Sequence, residues 1–373
     1  MKYYIIAGEA SGDLHGRNLM NAIKKQDNQA QFRVWGGDLM KEAGAELVSH
    51  YKERAYMGFL EVILHLKKIL GFIDQCKADL EKNKPDVLIL IDYPGFNLRI
   101  APFAKSLGIK VHYYISPQIW AWKEGRVKQI KEFVDYMYVI LPFEKKFYQK
   151  WNYSVDFVGH PLLDEVENFK ADPDFRIKNN LDPIKKIIAL LPGSRKQEIK
   201  KMLGIMSKMP QYFKDYEFVI AGAPGQEESF YKKVLPNNTI KIIFGQTYSL
   251  LNESTAALVT SGTATLETAI FGVPEVVCYK GSKISYLIAK QLVKNIKYIS
   301  LVNLIMDYEL VKELIQDSFN EENLKKELSL ILETSKRDKI INKYHDLRNL
   351  LGGSGASDHC AKLIVERDSG IKN

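Results

Sequence analysis

The chain has 373 residues, of which 46% are hydrophobic, and its 53 Lys and Arg against 45 Asp and Glu give a formal net charge of +8. This length exceeds the size at which single hydrophobic cores stop growing, so two domains are expected, and the composition excludes a disordered or fibrous chain. The positive charge favours an anionic partner, such as a phosphorylated ligand or a lipid surface. A nucleic acid is not predicted as a partner, because the basic residues are scattered and no nucleic-acid-binding motif is visible.

The three cysteines, Cys76, Cys278 and Cys360, are far apart in the sequence. Their spacing argues against a disulfide framework or a thiolate metal site and favours a reducing compartment. The apolar run at residues 3–7 is too short for a signal peptide, and no apolar run reaches the roughly 18 residues that span a membrane. We therefore expect a cytoplasmic protein.

The first predicted strand, at residues 3–7, leads into a glycine-containing loop and a helix near residues 14–25. The glycines are spaced by three and miss the G-x-G-x-x-G fingerprint, so a nicotinamide cofactor is not predicted. Open α/β sheets bind ligands at the carboxyl ends of their strands, which makes this polar loop, where His15 also lies, a candidate ligand site. Alternatively, Ser11 and Asp13 only cap the helix. The candidates in this loop are Glu9, Ser11, Gly12 and Asp13.

Residues 55–73 are more apolar than one buried helix face requires. One interpretation is a segment that enters a membrane surface or receives acyl chains. The other is a broad core-facing helix, which suits the second half of the segment better than the first. The membrane-contact candidates are Met57, Phe59, Leu60 and Ile63.

The aliphatic run at residues 86–92 is typical of a central parallel strand that is buried on both faces. It ends in Asp92, at the edge of the sheet where a ligand crevice is expected. Shielding by Tyr93 and Phe96 would raise the pKa of this carboxyl group towards that of a general base. The alternative is an Asp that caps the helix beginning near Asn97.

A strand at residues 110–115 precedes a loop, 116–122, that contains Gln118, Trp120 and Trp122. The tryptophans could stack on sugar faces or line an acyl groove, or they could simply pack beneath the loop. The helix that follows is basic, and it either meets phosphates or is a solvated face. Its basic residues are Lys123, Arg126, Lys128 and Lys131.

The chain becomes polar and loses its periodicity around residues 168–183, which predicts a domain boundary after residue 167. A second series of strands and helices follows, through residue 352. The sequence Asp172-Pro173-Asp174 resembles a metal-binding D-x-D pattern, but no predicted strand precedes it. We do not predict a metal site there.

The first strand of the second half, at residues 186–191, ends in Gly193, Ser194 and Arg195. Backbone amides and the Ser194 hydroxyl can donate to a phosphate, and an arginine can bind one with two parallel hydrogen bonds. Further small-residue loops follow the next strands, at residues 222–225 and 245–246. We expect these loops to converge on one site.

Residues 256–274 predict a strand, a tight loop and a helix. Gly262 permits close approach of a ligand, and the free amides and dipole of the new helix favour an anion. Glu267, one turn further on, can accept hydrogen bonds from vicinal ribose hydroxyls, so the combination suggests a nucleotide. The alternative is a helix capped by Ser261 or Thr263, with Glu267 as an ordinary acid in its first turn. The phosphate candidates are Ser261, Gly262, Thr263, Ala264 and Thr265.

Taken in order, these motifs closely resemble those of the lipid-A-disaccharide synthase family, which are GT-B glycosyltransferases of family 19. The resemblance covers nearly the whole chain, and the series is far more specific than any one motif. The matching motifs are GEASGD at 8–13, MG at 57–58, IDYPGFN at 91–97, SPQIWAW at 116–122, LPFE at 141–144, GHP at 159–161, LPGSR at 191–195 and SGTATLE at 261–267.

The resemblance implies an α/β fold of two Rossmann-like parallel-sheet domains that face each other across a cleft. Residues 1–167 would bind the lipid acceptor, residues 168–352 would bind UDP, and a helix within 353–373 would return to the first domain. The implied reaction transfers the sugar of UDP-2,3-diacylglucosamine to the 6-hydroxyl of 2,3-diacylglucosamine 1-phosphate with inversion. It also implies peripheral attachment to the anionic inner face of the inner membrane of a Gram-negative bacterium, with the segment around Met57 in contact.

The resemblance assigns Asp92 as the catalytic base and Glu267 as the ribose contact. Arg195 and the amides of residues 262–265 would stabilise the diphosphate, so neither a divalent metal nor another cofactor is expected. The loop at 222–225 is shorter and less polar than is usual in the family, which leaves the binding of uracil open. Further candidates for contact with the sugars are Asn97, Gln118, Trp120, Asn303, Glu313 and Gln316.

Two other functions are alternatives to this transfer reaction. A UDP-N-acetylglucosamine epimerase or another GT-B sugar transferase would share the nucleotide site, but it would need neither the apolar segment at 55–73 nor the Trp120 loop. A non-catalytic nucleotide-sugar or lipid-binding protein would bind UDP without turnover. A homodimer is left open, because no residue pattern specifies an interface.

Overall fold

The computed structural model describes residues 1–54, 66–235, 240–282 and 297–368. The chain folds as two compact units, one of Met1–Pro161 with Leu351–Asn373 and the other of Leu162–Leu350. Each unit contains one parallel β-sheet with helices between successive strands. The predicted α/β class with two Rossmann-like domains is therefore confirmed.

The first unit has seven strands, all paired in parallel. They are β1 (Lys2–Ala7), β2 (Gln31–Gly36), β3 (Glu46–His50), β4 (Val87–Ile91), β5 (Lys110–Tyr114), β6 (Tyr136–Val139) and β7 (Asp156–Phe157). Their order is β3-β2-β1-β4-β5-β6-β7, so the sheet grows in opposite directions from the central pair β1 and β4. All five residues of β4 are buried, as expected for a strand covered on both faces.

Helices follow most of these strands. They are α1 (Ala10–Gln26), α2 (Asp38–Glu42), α3 (Leu66–Asn83), α4 (Pro94–Ser106), α5 (Ile119–Trp122), α6 (Arg126–Phe133) and α7 (Pro142–Gln149), with a 3₁₀ turn at Tyr51–Arg54. Helix α3 buries Ile73, Cys76 and Leu80, which lie on one face and join the core of the sheet.

The second unit has six strands, again all parallel. They are β8 (Lys186–Leu191), β9 (Tyr216–Gly222), β10 (Lys241–Phe244), β11 (Ser254–Thr260), β12 (Glu275–Tyr279) and β13 (Lys312–Ile315). Their order is β10-β9-β8-β11-β12-β13, so here the central pair is β8 and β11.

The helices described in the second unit surround this sheet. They are α8 (Leu162–Glu167), α9 (Phe175–Lys178), α10 (Lys196–Met206), α11 (Glu228–Val234), α12 (Thr247–Asn252), α13 (Thr263–Ile270), α14 (Leu301–Met306), α15 (Glu321–Leu332) and α16 (Thr334–Leu350), with 3₁₀ turns at Met209–Gln211 and Gln316–Ser318.

The last helix, α17 (Ala356–Asp368), belongs to the first unit and packs against α1. Its end contacts the sheet at two places: His112 Nε2 lies 2.8 Å from a carboxylate oxygen of Asp368, and Arg367 forms an ion pair with Asp156 at 2.8 Å. The His112 side chain is fully buried and that of Asp368 nearly so. This is the returning helix that the sequence predicted.

The boundary between the units lies earlier than the predicted one at 167/168. Helix α8 is part of the second unit, because it packs against α13 and buries Leu162 and Leu163. The polar stretch that suggested the boundary therefore lies inside the second unit. The return to the first unit begins at Leu351 rather than at residue 353.

Two edge strands, β3 and β13, were not predicted, and the region of β13 was expected to be mostly helical. Both strands are short and only partly buried, with the sequences ELVSH and KELI. Neither has the aliphatic run or the regular alternation that makes a strand visible in a sequence.

The predicted membrane-contact residues Met57, Phe59, Leu60 and Ile63 lie outside the described residues. Within the described part of the chain, no helix is both long enough and apolar enough to cross a bilayer.

One buried acid should make the stability of the second unit depend on pH. Glu275, the first residue of β12, is fully buried, and neither of its carboxylate oxygens has a hydrogen-bond partner among the described residues. Burial, and secondarily the nearby Glu313, raise the pKa of Glu275 well above its usual value. The folded chain therefore holds a proton that the unfolded chain releases above a pH of about 4.3.

We expect Glu275 to lower the free energy of unfolding by about 1.4 kcal/mol for each pH unit above a pH of about 4.3. The neutral substitution Glu275→Gln should remove this contribution and stabilise the protein at pH 7 but not at pH 4. Calorimetric unfolding of both proteins across this range measures the difference. Parallel pH profiles would show that Glu275 does not hold the proton.

Candidate active site

In both sheets the strand order reverses at the central pair, and ligands bind to such sheets at that point, beyond the carboxyl ends of the strands. In the first unit the segments that leave this point follow β1 and β4, and they begin with Gly8 and Asp92. In the second unit they follow β8 and β11, and they begin with Pro192 and Ser261. Both positions coincide with motifs that the sequence singled out.

The loops of the second unit enclose a cavity of about 310 Å³. It brings together the loops after β8, β9 and β11, as predicted for converging strand ends. Of the predicted nucleotide residues, those that line it are Gly193, Ser194, Ser261, Gly262, Thr263, Ala264 and Glu267.

Glycines shape this cavity in two ways. Gly193 has φ +103°, which strains any other residue, and a Cβ there would lie 2.4 Å from Oε2 of Glu198 and would displace that carboxylate. Gly262 is the N-cap of α13, where no side chain caps the helix, and a Cβ on it would meet no atom within 4 Å. The first amides of α13 are therefore available to an anion.

The helix-capping interpretation of this loop is wrong. Ser261 directs its hydroxyl away from the helix and donates to the Ile299 carbonyl at 2.9 Å, and Thr263 lies inside the helix. Glu267 is half-buried at the cavity wall, and the Tyr248 hydroxyl donates to it at 3.2 Å. Burial raises the pKa of Glu267, and the Tyr248 hydrogen bond opposes that rise.

Two predicted nucleotide residues do not line the cavity. Thr265 is fully buried, and its hydroxyl donates to the Gly262 carbonyl at 2.9 Å, so it stabilises the start of the helix. Arg195 is exposed at the N-cap of α10, next to the cavity-lining Ser194.

Sequence reasoning also missed the three other polar residues that line the cavity: Glu198, Thr247 and Thr260. The carboxylate of Glu198 accepts the Ser194 backbone N–H at 3.3 Å and so supports the loop after β8. Its position four residues after Ser194, in the first turn of a helix, is the only sequence signal for this role.

Asn303, Glu313 and Gln316 were predicted to face the donor sugar, but the structure gives them other surroundings. Asn303 is fully buried and bonds to the backbone of Leu310 and Val311 and to Glu313. Glu313 also accepts the backbone N–H groups of Ile299 and Ser300 at 2.9 Å. Asn303 and Glu313 therefore form an internal network that fixes the loop before α14.

Gln316, the third of these, is the first residue of the 3₁₀ turn after β13 and has φ +55°. Its amide nitrogen is buried without a hydrogen-bond partner, close to where a Cβ on Gly281 would lie.

In the first unit, Asp92 and Tyr93 both have left-handed backbone conformations, with φ values of +41° and +49°. Such strain in two successive non-glycine residues is maintained only by surrounding contacts and is frequent at functional sites. The Asp92 carbonyl accepts the side-chain N–H of Asn97 at 2.6 Å and the hydroxyl of Tyr113 at 2.5 Å. These bonds fix the residue at the end of β4.

Asp92 is exposed to solvent at its surface, but the protein around its carboxyl group partly desolvates it. Desolvation by these surroundings, and secondarily the negative charge of Glu9, raise its pKa to about 6. Asp92 does not cap α4, whose N-cap is Tyr93. A carboxylate with a pKa near 6 suits a general base at neutral pH.

Asn97 and Asp13 have structural roles where sugar contacts were predicted. Asn97 is fully buried, and its side-chain amide nitrogen donates hydrogen bonds to the carbonyls of Ile91 and Asp92. Asp13 is also buried, and it accepts the backbone N–H groups of Gly37, Leu39 and Met40 at 2.7, 3.0 and 3.2 Å. It therefore caps α2 rather than its own helix.

The other candidates in the loop after β1 differ in their exposure to solvent. Glu9 and Ser11 are exposed at the start of α1, and the charge of Glu9 reaches Asp92. Gly12 is buried, and a Cβ there would lie 3.0 Å from the Cβ of Ala7, so it permits α1 to pack closely on β1. The ring of Tyr93 covers Gly8, where a Cβ would lie 2.2 Å from its Cγ.

In the loop after β5, Gln118 is exposed, whereas Trp120 is half-buried and packs edge-on against Phe143 at 4.8 Å. Trp120 thus makes the packing contact that one of the two interpretations predicted. Below the loop, the carboxyl group of Glu144 accepts the Leu141 N–H at 3.0 Å. Complete burial raises the pKa of Glu144 to about 8.

No group of three or more His, Cys, Asp or Glu side chains suited to a metal ion occurs within residues 1–54, 66–235, 240–282 and 297–368. In the D-x-D sequence, Asp172 pairs with Lys178 at 2.8 Å.

Solved structures with the same architecture define the class of protein. The fold matches a putative UDP-N-acetylglucosamine 2-epimerase from Listeria monocytogenes with a TM-score of 0.68 at 12% identity, covering 100% of this chain and 97% of that one. It also matches the MnaA–UDP co-structure from S. aureus with a TM-score of 0.70 at 13% identity over 100% and 98% of the two chains. These likenesses show a GT-B-type fold.

The family follows from sequence. The model of the family described as "Lipid-A-disaccharide synthetase" matches residues 3–365. The chain is 40% identical to a lipid-A-disaccharide synthase of Syntrophus aciditrophicus over 97% of this chain and 96% of that protein. It is 37% identical to one of Nitrosococcus oceani over 97% and 95% of the two chains. The chain belongs to the lipid-A-disaccharide synthase family and is a glycosyltransferase of lipid A biosynthesis.

The structural role of Asp13 can be tested by comparing two substitutions in the same motif. Asp13→Asn removes the charge that three backbone amides share, and we expect a loss of about 1 to 3 kcal/mol in the free energy of unfolding. Ser11→Ala, at an exposed position two residues away, should change it by less than about 0.5 kcal/mol. Denaturant unfolding measures both, and an unchanged midpoint for Asp13→Asn would contradict the capping role.

Proposed function

We propose that the chain transfers 2,3-diacylglucosamine from its UDP conjugate to 2,3-diacylglucosamine 1-phosphate, and that the transfer inverts the anomeric centre. The products are the β-1,6-linked disaccharide 1-phosphate and UDP. The observation that carries this proposal is Asp92, a solvent-reachable carboxylate with a raised pKa at the reversal point of the first sheet. Family membership supplies the substrates, and Asp92 supplies the chemistry.

In the proposed step, the 6-hydroxyl oxygen of the acceptor attacks the anomeric carbon of the donor while the bond from that carbon to the UDP oxygen breaks. Asp92 accepts the proton of the attacking hydroxyl. The leaving diphosphate gains negative charge, which preorganised hydrogen-bond donors of the protein can stabilise. One base and one set of phosphate donors are sufficient for a single displacement.

The cavity of the second unit supports the proposed UDP site. The amides at the start of α13, together with Gly193 and Ser194, are suited to the diphosphate, and Glu267 is suited to the ribose. Arg195 is proposed as a further phosphate ligand, since its backbone adjoins this loop. A neighbouring open cavity of about 490 Å³, which shares Gly222, Ala223 and Pro224 with the first, offers space for uracil.

The first unit is accordingly proposed to bind the acceptor and the second to bind UDP. Lipid substrates also favour attachment to the cytoplasmic face of an anionic membrane, which the net charge of +8 would assist. Met57, Phe59, Leu60 and Ile63 remain the proposed contacts. Glu9, Ser11 and Gln118 are exposed and remain candidates for contact with the sugars.

An epimerase function is the main rival, because UDP-N-acetylglucosamine 2-epimerases share the fold. Sequence identity favours sugar transfer over epimerisation, because the chain is 40% identical to the Syntrophus synthase but only 12% identical to the Listeria epimerase structure. A binding protein without catalysis would tolerate replacement of Asp92.

A micelle assay separates these functions. Purified protein is incubated with UDP-2,3-diacylglucosamine, 2,3-diacylglucosamine 1-phosphate and EDTA, and UDP and disaccharide are followed by mass spectrometry. We expect both products. UDP without disaccharide would indicate an epimerase or hydrolase, and binding of UDP without its release from the donor would indicate a binding protein.

Asp92 has a distinct signature in this assay. We expect Asp92→Asn to lower kcat by roughly 10²- to 10⁴-fold, the range for loss of a general base, with UDP affinity unchanged. Because the base must be ionised, kcat/KM of the native enzyme should fall as the pH decreases through about 6. The residual activity of Asp92→Asn should lack that decline, and a decline that persists would assign the ionisation to another group.

The glycines of the second unit offer a matched pair for the UDP site. Gly193→Ala introduces left-handed strain and a clash with Glu198, so we expect UDP affinity to fall by about 10-fold or more. Gly204, on α10, has open space where a Cβ would be placed, and Gly204→Ala should leave the affinity unchanged. Calorimetric titration with UDP measures both, and equal affinities would place the diphosphate elsewhere.

A further inference from the structure

A carboxylate lies in the cavity that is proposed to hold the diphosphate of UDP. Glu198, in the first turn of α10, lines this cavity and is half-buried. Its carboxylate accepts the Ser194 backbone N–H at 3.3 Å, and it forms no ion pair with any of the described residues. By comparison, the half-buried Glu217 of the same unit pairs with Lys241 at 3.0 Å. Glu198 therefore brings a negative charge without a partner cation into a cavity that is proposed for an anion.

The position of this carboxylate overlaps with that of the proposed phosphate donors. A Cβ on Gly193 would lie 2.4 Å from Oε2 of Glu198 and 2.9 Å from its Cδ, so the carboxylate covers the side of Gly193 where a side chain would stand. The Ser194 N–H, which is proposed to donate to the diphosphate, is bonded to the same Oε2. A phosphate oxygen can bond to this N–H only if it shares the donor with Glu198 or displaces it.

Two anions that compete for one donor repel each other, and the repulsion is larger in a partly dehydrated cavity than in bulk water. It also grows with the charge of the ligand. The diphosphate of a UDP-sugar is esterified at both ends, whereas UDP ends in a phosphate whose second proton dissociates at a pH of about 6. At neutral pH UDP is therefore more negatively charged than the donor, and Glu198 repels it more strongly.

We propose that Glu198 discriminates between donor and product, because it weakens the binding of UDP more than that of the UDP-sugar. This inference rests on the proposed function. When the bond from the anomeric carbon breaks, its electron pair stays on the oxygen of the leaving diphosphate, so the additional charge that Glu198 repels is produced by the reaction itself. Glu198 thereby favours the release of UDP and limits inhibition by this product, at a cost to the chemical step.

The test is Glu198→Gln, which removes the charge but keeps an oxygen that can accept the Ser194 N–H. UDP and UDP-2,3-diacylglucosamine are titrated separately, without an acceptor, in the same detergent micelles at a pH of about 8, where the terminal phosphate of UDP is ionised. Each ligand is compared between the native protein and the variant. We expect the affinity for UDP to rise about 10-fold and that for the donor only about 3- to 5-fold, because the repulsion scales with ligand charge.

The matched control is Asp215→Asn, which removes a carboxylate at an exposed position just before β9, at the opposite end of that strand from the cavity. It should leave both affinities unchanged, and circular dichroism confirms that each variant is folded. Single-turnover transfer should not be slower in Glu198→Gln, since the leaving diphosphate is then repelled less. Weaker or unchanged binding of UDP would overturn the discrimination, as would an equal change for both ligands, which indicates only an altered loop.

The titrations require no transfer reaction, and this separates the inference from the proposed function. If Glu198→Gln strengthens the binding of UDP more than that of the donor but no disaccharide forms, the discrimination stands and the proposed transfer fails. If disaccharide forms but the variant binds UDP no more tightly, the proposed function stands and the role of Glu198 is wrong. If the native protein does not bind UDP, both are wrong.

Discussion

The parallel arrangement of the strands is the constraint on which the sites depend. In a parallel sheet with right-handed helical connections, every strand ends at the same edge, and the helix after it begins there. Backbone amides at helix starts and side chains at strand ends are therefore collected at one edge of each sheet. The reversal of strand order between β1 and β4, and between β8 and β11, opens that edge to a ligand. Asp92 and Gly262 occupy equivalent places in this scheme.

The buried strands and the loop at Gly262 were predictable because their signals are local. The aliphatic runs of β4 and β11, each followed by a turn, specify a strand end within a residue or two, and a glycine before a helix marks an anion site. The end of β4 therefore predicts the position of Asp92 from the sequence alone. Edge strands such as β3 are held by pairing with a neighbour, and their sequence alone carries little of that information.

The role of an individual polar residue was harder to predict than its location. Asp13 and Asn97 lie in the motifs that carry the family resemblance, yet both are buried and bind backbone groups. Asn303 and Glu313 were expected to face the donor and instead bond to each other. These partners lie on other elements, up to 27 positions away for Asp13, so the sequence around each residue does not reveal them. The exposed Glu9 and the buried Asp13 of one motif show that residues close in sequence can differ completely in burial and in role.

The return of α17 to the first unit has a consequence for biosynthesis. Residues 351–368 contribute a helix that packs on α1 and ends in the buried pair His112 and Asp368, so the first unit lacks part of its own structure until these residues are made. A ribosome synthesises the entire second unit before it reaches them, and domains generally fold as units during synthesis. The second unit can therefore finish folding first, while the half of the protein that was synthesised earlier waits for the last residues to complete it.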